Sequence, residues 1–252
     1  MTRSPFDLHG RCAVVTGAGR GLGQGIALGL ARAGADLVLV GRSGSQTETR
    51  DQVADLGRDV EIVDLDVSDH EAVGRVAAEV TGSRQVDILV NNAGIIDRAD
   101  ALDVTRQAWH RVVDVNLNGL FFLCQEFGRP MAARGHGKIV SVASLLSFQG
   151  GIRVAAYTAS KHGVAGITKA LANEWGPLGV QVNAIAPGYM ATDNTTALRA
   201  DPDRSRAILA RIPAGRWGDA ADVAGAAVFL SSAAADYVNG HVLVVDGGWM
   251  AR

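Results

Sequence analysis

Seven short apolar runs alternate with longer segments of helical periodicity, and this alternation restricts the fold more than any other feature of the sequence. Each run is rich in β-branched residues and ends at Gly, Asn, Asp or Ser. The runs are CAVVTG (12–17), DLVLVG (36–41), VEIVDLD (60–66), DILVNNAG (87–94), KIVSVAS (138–144), VQVNAIAPG (180–188) and HVLVVDGG (241–248). Strands that are apolar on both faces are typical of parallel sheets covered by helices. We therefore predict an α/β fold with a doubly wound, parallel, seven-stranded sheet and helices on both of its faces.

The segments between the runs favour a single domain. Helical patterns occur at 23–34, 70–80, 106–131 and 155–175. The sequence has no linker, low-complexity tract or internal repeat that would separate two domains, so we predict one domain over 1–252. One long irregular region, 188–215, contains two prolines and several glycines, and we predict that it is a mobile lid.

The composition argues against several classes of protein. A net charge of −2 without a basic block does not suit a nucleic-acid-binding protein, because phosphate binding needs clustered Lys and Arg. Cys12 and Cys124 lie far apart and the six histidines lack metal-ligand spacing, so we expect neither a disulfide framework nor a metal site. The start lacks a signal-peptide pattern and no apolar stretch is long enough to span a membrane, from which we predict a cytoplasmic protein.

A glycine-rich stretch, TGAGRGLG, follows the first run directly and places Gly17, Gly21 and Gly23 at a strand-to-helix turn. Glycine lets the backbone approach a pyrophosphate closely, and a helix N-terminus offers unpaired N–H groups and the positive end of its dipole. The spacing TGxxxGxG departs from GxGxxG, so a turn that is glycine-rich only for packing is the alternative. Its place at the first βα junction favours a dinucleotide site and a Rossmann-type sheet.

A tyrosine and a lysine, Tyr157 and Lys161, are four residues apart among small residues, so on a helix their side chains project side by side. Taken alone, such a pair is usually incidental. Together with TGAGRGLG, NNAG (91–94), Asn116, Ser144 and PGYMAT (187–192), it resembles the pattern of the short-chain dehydrogenase/reductase family, from Gly10 to the last residue. The resemblance divides the domain into a dinucleotide-binding part, mainly 10–115, and a catalytic and substrate part, mainly 116–252.

The resemblance implies catalytic roles for four residues. Tyr157 passes a proton to or from the substrate oxygen, and Ser144 holds and polarises that oxygen. A free tyrosine has a pKa of about 10, so it needs a nearby positive charge to act at neutral pH. Lys161 is expected to supply that charge and to bind the nicotinamide ribose. Asn116 is implied to hold a water that links Lys161 to solvent, and a buried structural amide is the alternative.

The resemblance also implies a set of cofactor contacts. Besides Tyr157 and Lys161, the set comprises Gly17, Arg20, Gly21, Leu22, Gly23, Arg42, Asp66, Val67, Asn92, Ala93, Gly94, Pro187, Gly188, Met190 and Thr192. An NAD site usually ends its second strand with an acidic residue that accepts from the ribose 2′-hydroxyl. Here Gly41 takes that position, Arg42 follows it, and Arg20 lies in the glycine loop. Two guanidinium groups near one 2′-phosphate favour NADP, and NAD is the alternative because arginine also stacks on adenine.

Within the family, the second half of the chain is most similar to sugar-acid dehydrogenases, through SLLSFQGGIRVAAYTASK, NAIAPGYMATDNT, RIPAGRWG and VDGGWMAR. This implies interconversion of a secondary alcohol and a ketone on a sugar acid, with Ser144 and Tyr157 at the reacting oxygen. The substrate carboxylate calls for an arginine, for which Arg98 and Arg153 are the candidates, with Gln149 as a polar neighbour for hydroxyls.

Other readings stay open on the sequence alone. Another polyol dehydrogenase or a 3-oxoacyl thioester reductase would use the same scaffold. A non-catalytic dinucleotide sensor would be expected to lose Tyr157 or Lys161, and both are present. The resemblance also implies a homotetramer, for which the apolar helical patterns at 109–131 and 223–230 are candidate interfaces.

Overall fold

One parallel sheet of seven strands organises the chain in the computed structural model, which describes residues 4–42 and 44–252. The strands are β1 Cys12–Thr16, β2 Asp36–Gly41, β3 Val60–Asp64, β4 Ile88–Asn91, β5 Gly137–Val142, β6 Val180–Pro187 and β7 Val242–Val245. Each corresponds to one of the seven predicted runs, so the predicted strands and the fold class are confirmed. The predicted domain, 1–252, also includes positions 1–3 and 43, which lie outside the described residues.

The sheet has the order β3-β2-β1-β4-β5-β6-β7, so the direction of winding reverses beside β1. β1 pairs with β2 on one side and with β4 on the other, both in parallel. In open parallel sheets a crevice forms at such a point, outside the carboxyl ends of the strands. The fold therefore predicts a ligand site where β1 and β4 end.

Helices cover both faces of the sheet. They are α1 Gly21–Arg32, α2 Thr47–Asp55, α3 His70–Ser83, α4 Arg106–Val113, α5 Gly119–Arg134, α6 Ala155–Trp175, α7 Thr196–Ala200, α8 Pro202–Arg211 and α9 Ala220–Ser231. Residues of α3, α5 and α6 pack into one core, and residues of α1, α2 and α9 pack into the other.

The two cores explain why the strands are apolar throughout. Successive side chains of a strand point to opposite faces, and in β1 Val14 packs into one core while Ala13 and Val15 pack into the other. All three are fully buried. Burying a valine side chain contributes roughly 1.5–3 kcal/mol, so a polar residue at any of these positions would destabilise the sheet.

A π-helical turn, Asp114–Asn118, separates α4 from α5, where the sequence predicts one continuous helical segment at 106–131. π-turns inside helices are rare and frequently occur at functional sites. Asn116 lies in the middle of this turn and is fully buried. The turn therefore supports Asn116 as a candidate site residue.

The sequence predicts that the region 188–215 is irregular. The structure differs, because the region contains the helices α7 and α8. Asp201 caps α8 by accepting from the backbone N–H groups of Asp203 and Arg204, and Pro202 occupies the first helical position. Proline is favoured there because its missing N–H has no partner in a first helical turn. Pro202, which suggests a loop when the sequence is taken alone, therefore marks the start of a helix.

The apolar residues of α9 lie in the interior. Val223 and Leu230 are buried in the core that contains α1, so their apolar character is explained within one subunit. None of the helices within 4–42 and 44–252 is long and apolar enough to cross a membrane.

Candidate active site

A glycine cradle connects β1 to α1 at the predicted crevice. Gly17 and Gly21 have φ values of +63° and +56°, a region that favours glycine. A Cβ on Gly23 would lie 2.1 Å from the carbonyl oxygen of Gly17, so glycine is required there for space. No side chain of the described residues caps the N-terminus of α1, and its N–H groups are left for a ligand. These features fit the pyrophosphate of a dinucleotide.

The floor of the cradle joins the ends of β1 and β4. The Thr16 hydroxyl accepts from the backbone N–H groups of Asn92 and Ala93, both at 3.0 Å. The Asn92 amide donates to the carbonyl oxygens of Thr16 and Gly17, also at 3.0 Å. Thr16 is not among the residues that the sequence singles out, although it is the one threonine in the seven apolar runs. It positions the predicted NNAG segment.

The start of the lid region closes over the same cradle. β6 ends at Pro187, and a Cβ on Gly188 would lie 2.7 Å from the Cα of Asp246, so the chain turns tightly here. Met190 is buried, and a Cβ on Gly21 would lie 3.7 Å from Cγ2 of Thr192. Of the predicted cofactor residues in PGYMAT, Thr192 therefore lies beside the glycine loop.

The adenine end of the cradle carries the two predicted guanidinium groups on exposed side chains. Arg42 lies 3.6 Å from Asp66, and Arg20 lies 3.2 Å from Asp193. Each arginine pairs with a carboxylate of this chain, so binding a 2′-phosphate requires an exchange of partners. Val67 follows Asp66 and is buried against α5, which places its backbone at the rim of the site.

Ser144 and Tyr157 lie together beyond the end of β5. Ser144 follows the strand by two residues, Tyr157 lies in the first turn of α6, and the serine side chain is near enough to lower the pKa of the phenol. Tyr157 is partly exposed, so a substrate oxygen can reach the pair. A carbonyl oxygen beside both hydroxyls would receive two hydrogen bonds, as a proton transfer requires.

The pKa of Tyr157 is subject to opposing influences. Burial raises it above its ordinary value, while the side chain of Ser144 and the charge of Arg98 lower it. The Lys161 ammonium donates to the carbonyl oxygen of Val142 at 2.7 Å. The expectation that Lys161 lowers the pKa of Tyr157 stays a prediction.

Lys161 is buried beneath the tyrosine. Its side chain is 4% exposed, and burial lowers the pKa of its ammonium to about 8. Nζ lies 5.5 Å from the centre of the Tyr157 ring. An ammonium has three N–H donors, and the bond to Val142 uses one of them. The other two are available to the hydroxyls of a bound ribose.

The Asn116 side chain holds in place, by hydrogen bonds, the segment that follows NNAG. Its side-chain oxygen accepts from the N–H of Ile95 at 2.8 Å, and its amide donates to the carbonyl oxygen of Ile95 at 2.9 Å and to the Ser160 hydroxyl at 3.3 Å. These contacts are those of a buried structural amide, the alternative that the sequence leaves open. The water-holding role implied by the resemblance stays a prediction.

The three predicted substrate residues are placed differently. Arg98 is exposed and lies near enough to Tyr157 for its charge to act on the phenol. Gln149 is partly exposed in the turn after Ser144. Arg153 pairs with Asp100 at 3.3 Å, and its carbonyl oxygen accepts from Ala99 at 3.1 Å. Arg153 has a φ of +64°, which is strained for arginine, so its backbone is committed to holding this loop.

An aromatic wall beside the site was not predicted. The Tyr189 ring centre lies 4.6 Å from that of Trp249 and 5.7 Å from that of Trp217. The same cluster contains Leu145, next to Ser144, and Ile208 of α8. The three rings are among five aromatic residues within 189–249, and no local pattern in the sequence brings these three together. The wall links the lid helices to the reacting centre.

Comparisons with known proteins agree with this geometry. The sequence model of the family described as enoyl-(acyl carrier protein) reductase matches residues 17–250. The chain is 58% identical to the 2-dehydro-3-deoxy-D-gluconate 5-dehydrogenase of Bacillus subtilis, over 98% of this chain and 97% of that protein.

Two solved structures are similar over nearly the whole chain. One, from Agrobacterium tumefaciens, is described as a candidate 2-deoxy-D-gluconate 3-dehydrogenase with bound NADP. It is 57% identical in sequence with a TM-score of 0.94, and the match covers 99% of this chain and 100% of the Agrobacterium chain. The other is a gluconate 5-dehydrogenase from Burkholderia cenocepacia in complex with NADP and tartrate, with a TM-score of 0.95, 40% identity and 98% coverage of both chains.

Proposed function

The chain belongs to the short-chain dehydrogenase/reductase family, and from this premise we propose that it is an NADP-dependent oxidoreductase that interconverts a secondary alcohol and a ketone on a sugar acid. The proposed substrate is 2-dehydro-3-deoxy-D-gluconate, which the Bacillus subtilis relative carries in its name. One observation carries the proposal: Ser144 and Tyr157 lie together beyond the end of β5, with the buried Lys161 beneath the tyrosine ring. Arg98, whose charge lowers the pKa of Tyr157, suits a substrate that brings a carboxylate to this site.

The proton chemistry follows from the side chains. In the reducing direction the Tyr157 hydroxyl donates its proton to the ketone oxygen, and the Ser144 hydroxyl donates a second hydrogen bond to the same oxygen. In the oxidising direction Tyr157 accepts the proton from the alcohol. When bound, the cofactor would supply the hydride as NADPH or accept it as NADP⁺. The buried Lys161 would hold the ribose hydroxyls and so orient the cofactor toward the two hydroxyls of Tyr157 and Ser144.

The carboxylate of the substrate is assigned to Arg98. A guanidinium binds a carboxylate through two parallel hydrogen bonds, which fixes the orientation as well as the charge of the substrate. Arg153 is a weaker candidate than the sequence suggests, because it is paired with Asp100. Its proposed role is to hold the loop that carries Arg98.

The cofactor preference is assigned to NADP. Gly41 brings no carboxylate to the end of β2, and the exposed Arg42 and Arg20 flank the loop where the adenosine ribose would lie. Both solved relatives described above contain NADP. The other cofactor contacts predicted from the sequence are kept in the proposal. Thr16 is added as the residue that positions NNAG.

A homotetramer remains part of the proposal. Trp109 is 38% exposed on α4, and Phe121 and Phe122 are only partly buried on α5. Exposed aromatic residues on neighbouring helices support an interface between copies of the chain. The cytoplasmic location stays a prediction from the sequence.

Gluconate is the second candidate substrate, because the Burkholderia cenocepacia structure is named for that activity. Both candidates carry the carboxylate that Arg98 would bind. A 3-oxoacyl thioester has no carboxylate on its acyl chain, so Arg98 favours the sugar acids over it.

The absorbance of the reduced nicotinamide provides the test. The purified protein is assayed with NADP and with NAD against 2-dehydro-3-deoxy-D-gluconate, D-gluconate and a neutral hexitol, and with NADPH against a 3-oxoacyl thioester. We expect turnover with a sugar acid and NADP. Turnover confined to the neutral hexitol or to the thioester would overturn the proposal, as would the absence of turnover with every substrate.

A further inference from the structure

Gly41, the last residue of β2, has an unexpected neighbour. It is not among the residues with positive φ, so its backbone conformation does not require glycine. A Cβ placed on it would lie 2.1 Å from Nε2 and 2.9 Å from Cδ of Gln46. Real Cβ atoms do not approach other atoms so closely, so a side chain at position 41 would require the Gln46 amide to move.

Gln46 is a buried polar residue with an incomplete set of hydrogen bonds. It is 0% exposed and directly precedes α2. Its side-chain oxygen accepts from the Ser45 hydroxyl at 3.3 Å, whereas Nε2 has no partner within the part of the chain that the structure describes. An unpaired buried amide costs about 1–3 kcal/mol. If Gln46 only filled space in the interior, an apolar side chain of the same length would stabilise the fold more.

The surroundings leave Gln46 little freedom to move away. The Thr49 hydroxyl donates to the carbonyl oxygen of Ala18 at 2.9 Å, which ties α2 to the glycine loop. A Cβ on Gly19 would lie 2.4 Å from the carbonyl oxygen of Ser45, so the two loops are in direct backbone contact. A larger residue at position 41 would therefore displace either Gln46 or the cofactor cradle itself.

The consequence concerns the cofactor. The end of β2 is where NAD-binding sheets of this type place an acidic side chain that accepts from the ribose 2′-hydroxyl. We propose that Gln46 is a positioning residue that sets the cofactor preference: it excludes an acidic side chain from position 41 and so leaves the ribose 2′ position to Arg42. This inference rests on the proposed NADP preference and gives it a structural cause outside the cofactor contacts.

Binding measurements test the inference without relying on turnover. Dissociation constants for NADPH and NADH are measured by nucleotide fluorescence for the wild type, Gly41→Asp, Gln46→Ala and the double variant. We expect Gly41→Asp to weaken NADPH about ten-fold or more without a gain in NADH affinity. The double variant has room for the carboxylate, so it should bind NADH about ten-fold more tightly than Gly41→Asp does.

A charge control is available in the same loop. A Cβ on Gly44 meets nothing within 4 Å, so Gly44→Asp adds the same charge without contact with Gln46, and the backbone strain at its φ of +68° is the same with and without Gln46→Ala. Its effect on the ratio of NADPH to NADH affinity should be the same whether or not Gln46→Ala is also present. The inference is wrong if Gly41→Asp gains NADH affinity as fully as the double variant does.

Thermal melting of the same variants without nucleotide separates this inference from the proposed function. Gly41→Asp should lower the melting temperature by about 5 °C more in the wild type than in the Gln46→Ala variant. Equal losses in both backgrounds would remove the steric basis of the inference. A wild type that prefers NADH would instead overturn the proposed cofactor, and the melting comparison would still decide whether Gln46 excludes larger residues from position 41.

Discussion

The ammonium of Lys161 lies 5.5 Å from the centre of the Tyr157 ring and is bonded to the carbonyl oxygen of Val142, so it is held below the phenol rather than against its hydroxyl. The proposed tasks of the two side chains are therefore separable. Tyr157 is proposed to move the proton, and Lys161 is proposed to bind the cofactor. Variants of the two residues should fail in different measurements.

Tyr157→Phe removes the proton donor and keeps the ring over Lys161. We expect kcat to fall by about 10²–10⁴-fold, the usual contribution of an acid–base group. The dissociation constant for NADPH, measured by fluorescence titration, should change by less than about two-fold, because the contact with Lys161 is between the ring and Nζ. Turnover near the wild-type value would exclude Tyr157 as the proton donor.

The pH dependence of cofactor binding should reflect the loss of the proton from the Lys161 ammonium. Because burial lowers the pKa of this ammonium to about 8, it is charged below that pH and loses its charge as the pH rises through it. The charged form donates to ribose hydroxyls and attracts an anionic dinucleotide, so the NADPH dissociation constant should increase between about pH 7 and pH 9. In Lys161→Met the same titration should be flat across this window. A wild-type constant that does not change with pH would contradict this role.

The two arginines of the substrate side form a matched pair of variants. Arg98→Met should raise KM for the sugar acid by about ten-fold or more, because a charge-assisted pair is lost. Arg153→Met loses an exposed pair with Asp100 and should change KM by less than about three-fold. A neutral hexitol serves as the reference substrate for both variants. Equal changes for charged and neutral substrates would remove Arg98 from the carboxylate role.

Arg42 should discriminate between the two cofactors. Arg42→Ala is expected to raise the NADPH dissociation constant by about ten-fold and to leave that for NADH nearly unchanged, because only NADPH carries the 2′-phosphate. Adding salt should weaken NADPH binding less in the variant than in the wild type. If both cofactors are weakened equally, Arg42 is a platform for the adenine and not a phosphate ligand.

The buried amide of Asn116 should be important for stability. Asn116→Ala leaves the N–H and the carbonyl oxygen of Ile95 without their partners, which costs about 1–3 kcal/mol for each buried group left unpaired. Asn118→Ala, in the same π-turn, loses a partly buried bond to Asp114 and should cost about 1 kcal/mol or less. Urea unfolding of the two variants gives the comparison, and equal losses would contradict the structural role of Asn116.

The sequence predicts the strands well because a parallel sheet buried on both faces leaves a direct signal, as in β1, where Ala13, Val14 and Val15 are all apolar. It also places Ser144 and Tyr157 in one site, since both follow from a resemblance with fixed spacing. It misses the helices within 188–215, because Pro202 suggests a break in the chain when it is viewed without its cap, Asp201. The division of the domain near 115 stays a prediction.

Other features depend on contacts between distant segments, which no local pattern contains. The orientation of Lys161 toward Val142 depends on how α6 docks against β5. The pairing of Arg153 with Asp100 depends on the path of two loops, and the burial of Gln46 against Gly41 depends on the turn into α2. These are the places where physical reasoning on the sequence is least able to assign a partner.

The bonds between Thr16 and the segment Asn92–Ala93 join positions that are 76 and 77 residues apart, so the floor of the cradle exists only when β1 and β4 are paired. An unfolded chain has no such floor and does not bind the dinucleotide there. Cofactor at about a hundred times its dissociation constant therefore favours the native state by about 2.7 kcal/mol. Since proteolysis in the cell acts on opened chains, the lifetime of the protein should follow the supply of its nucleotide.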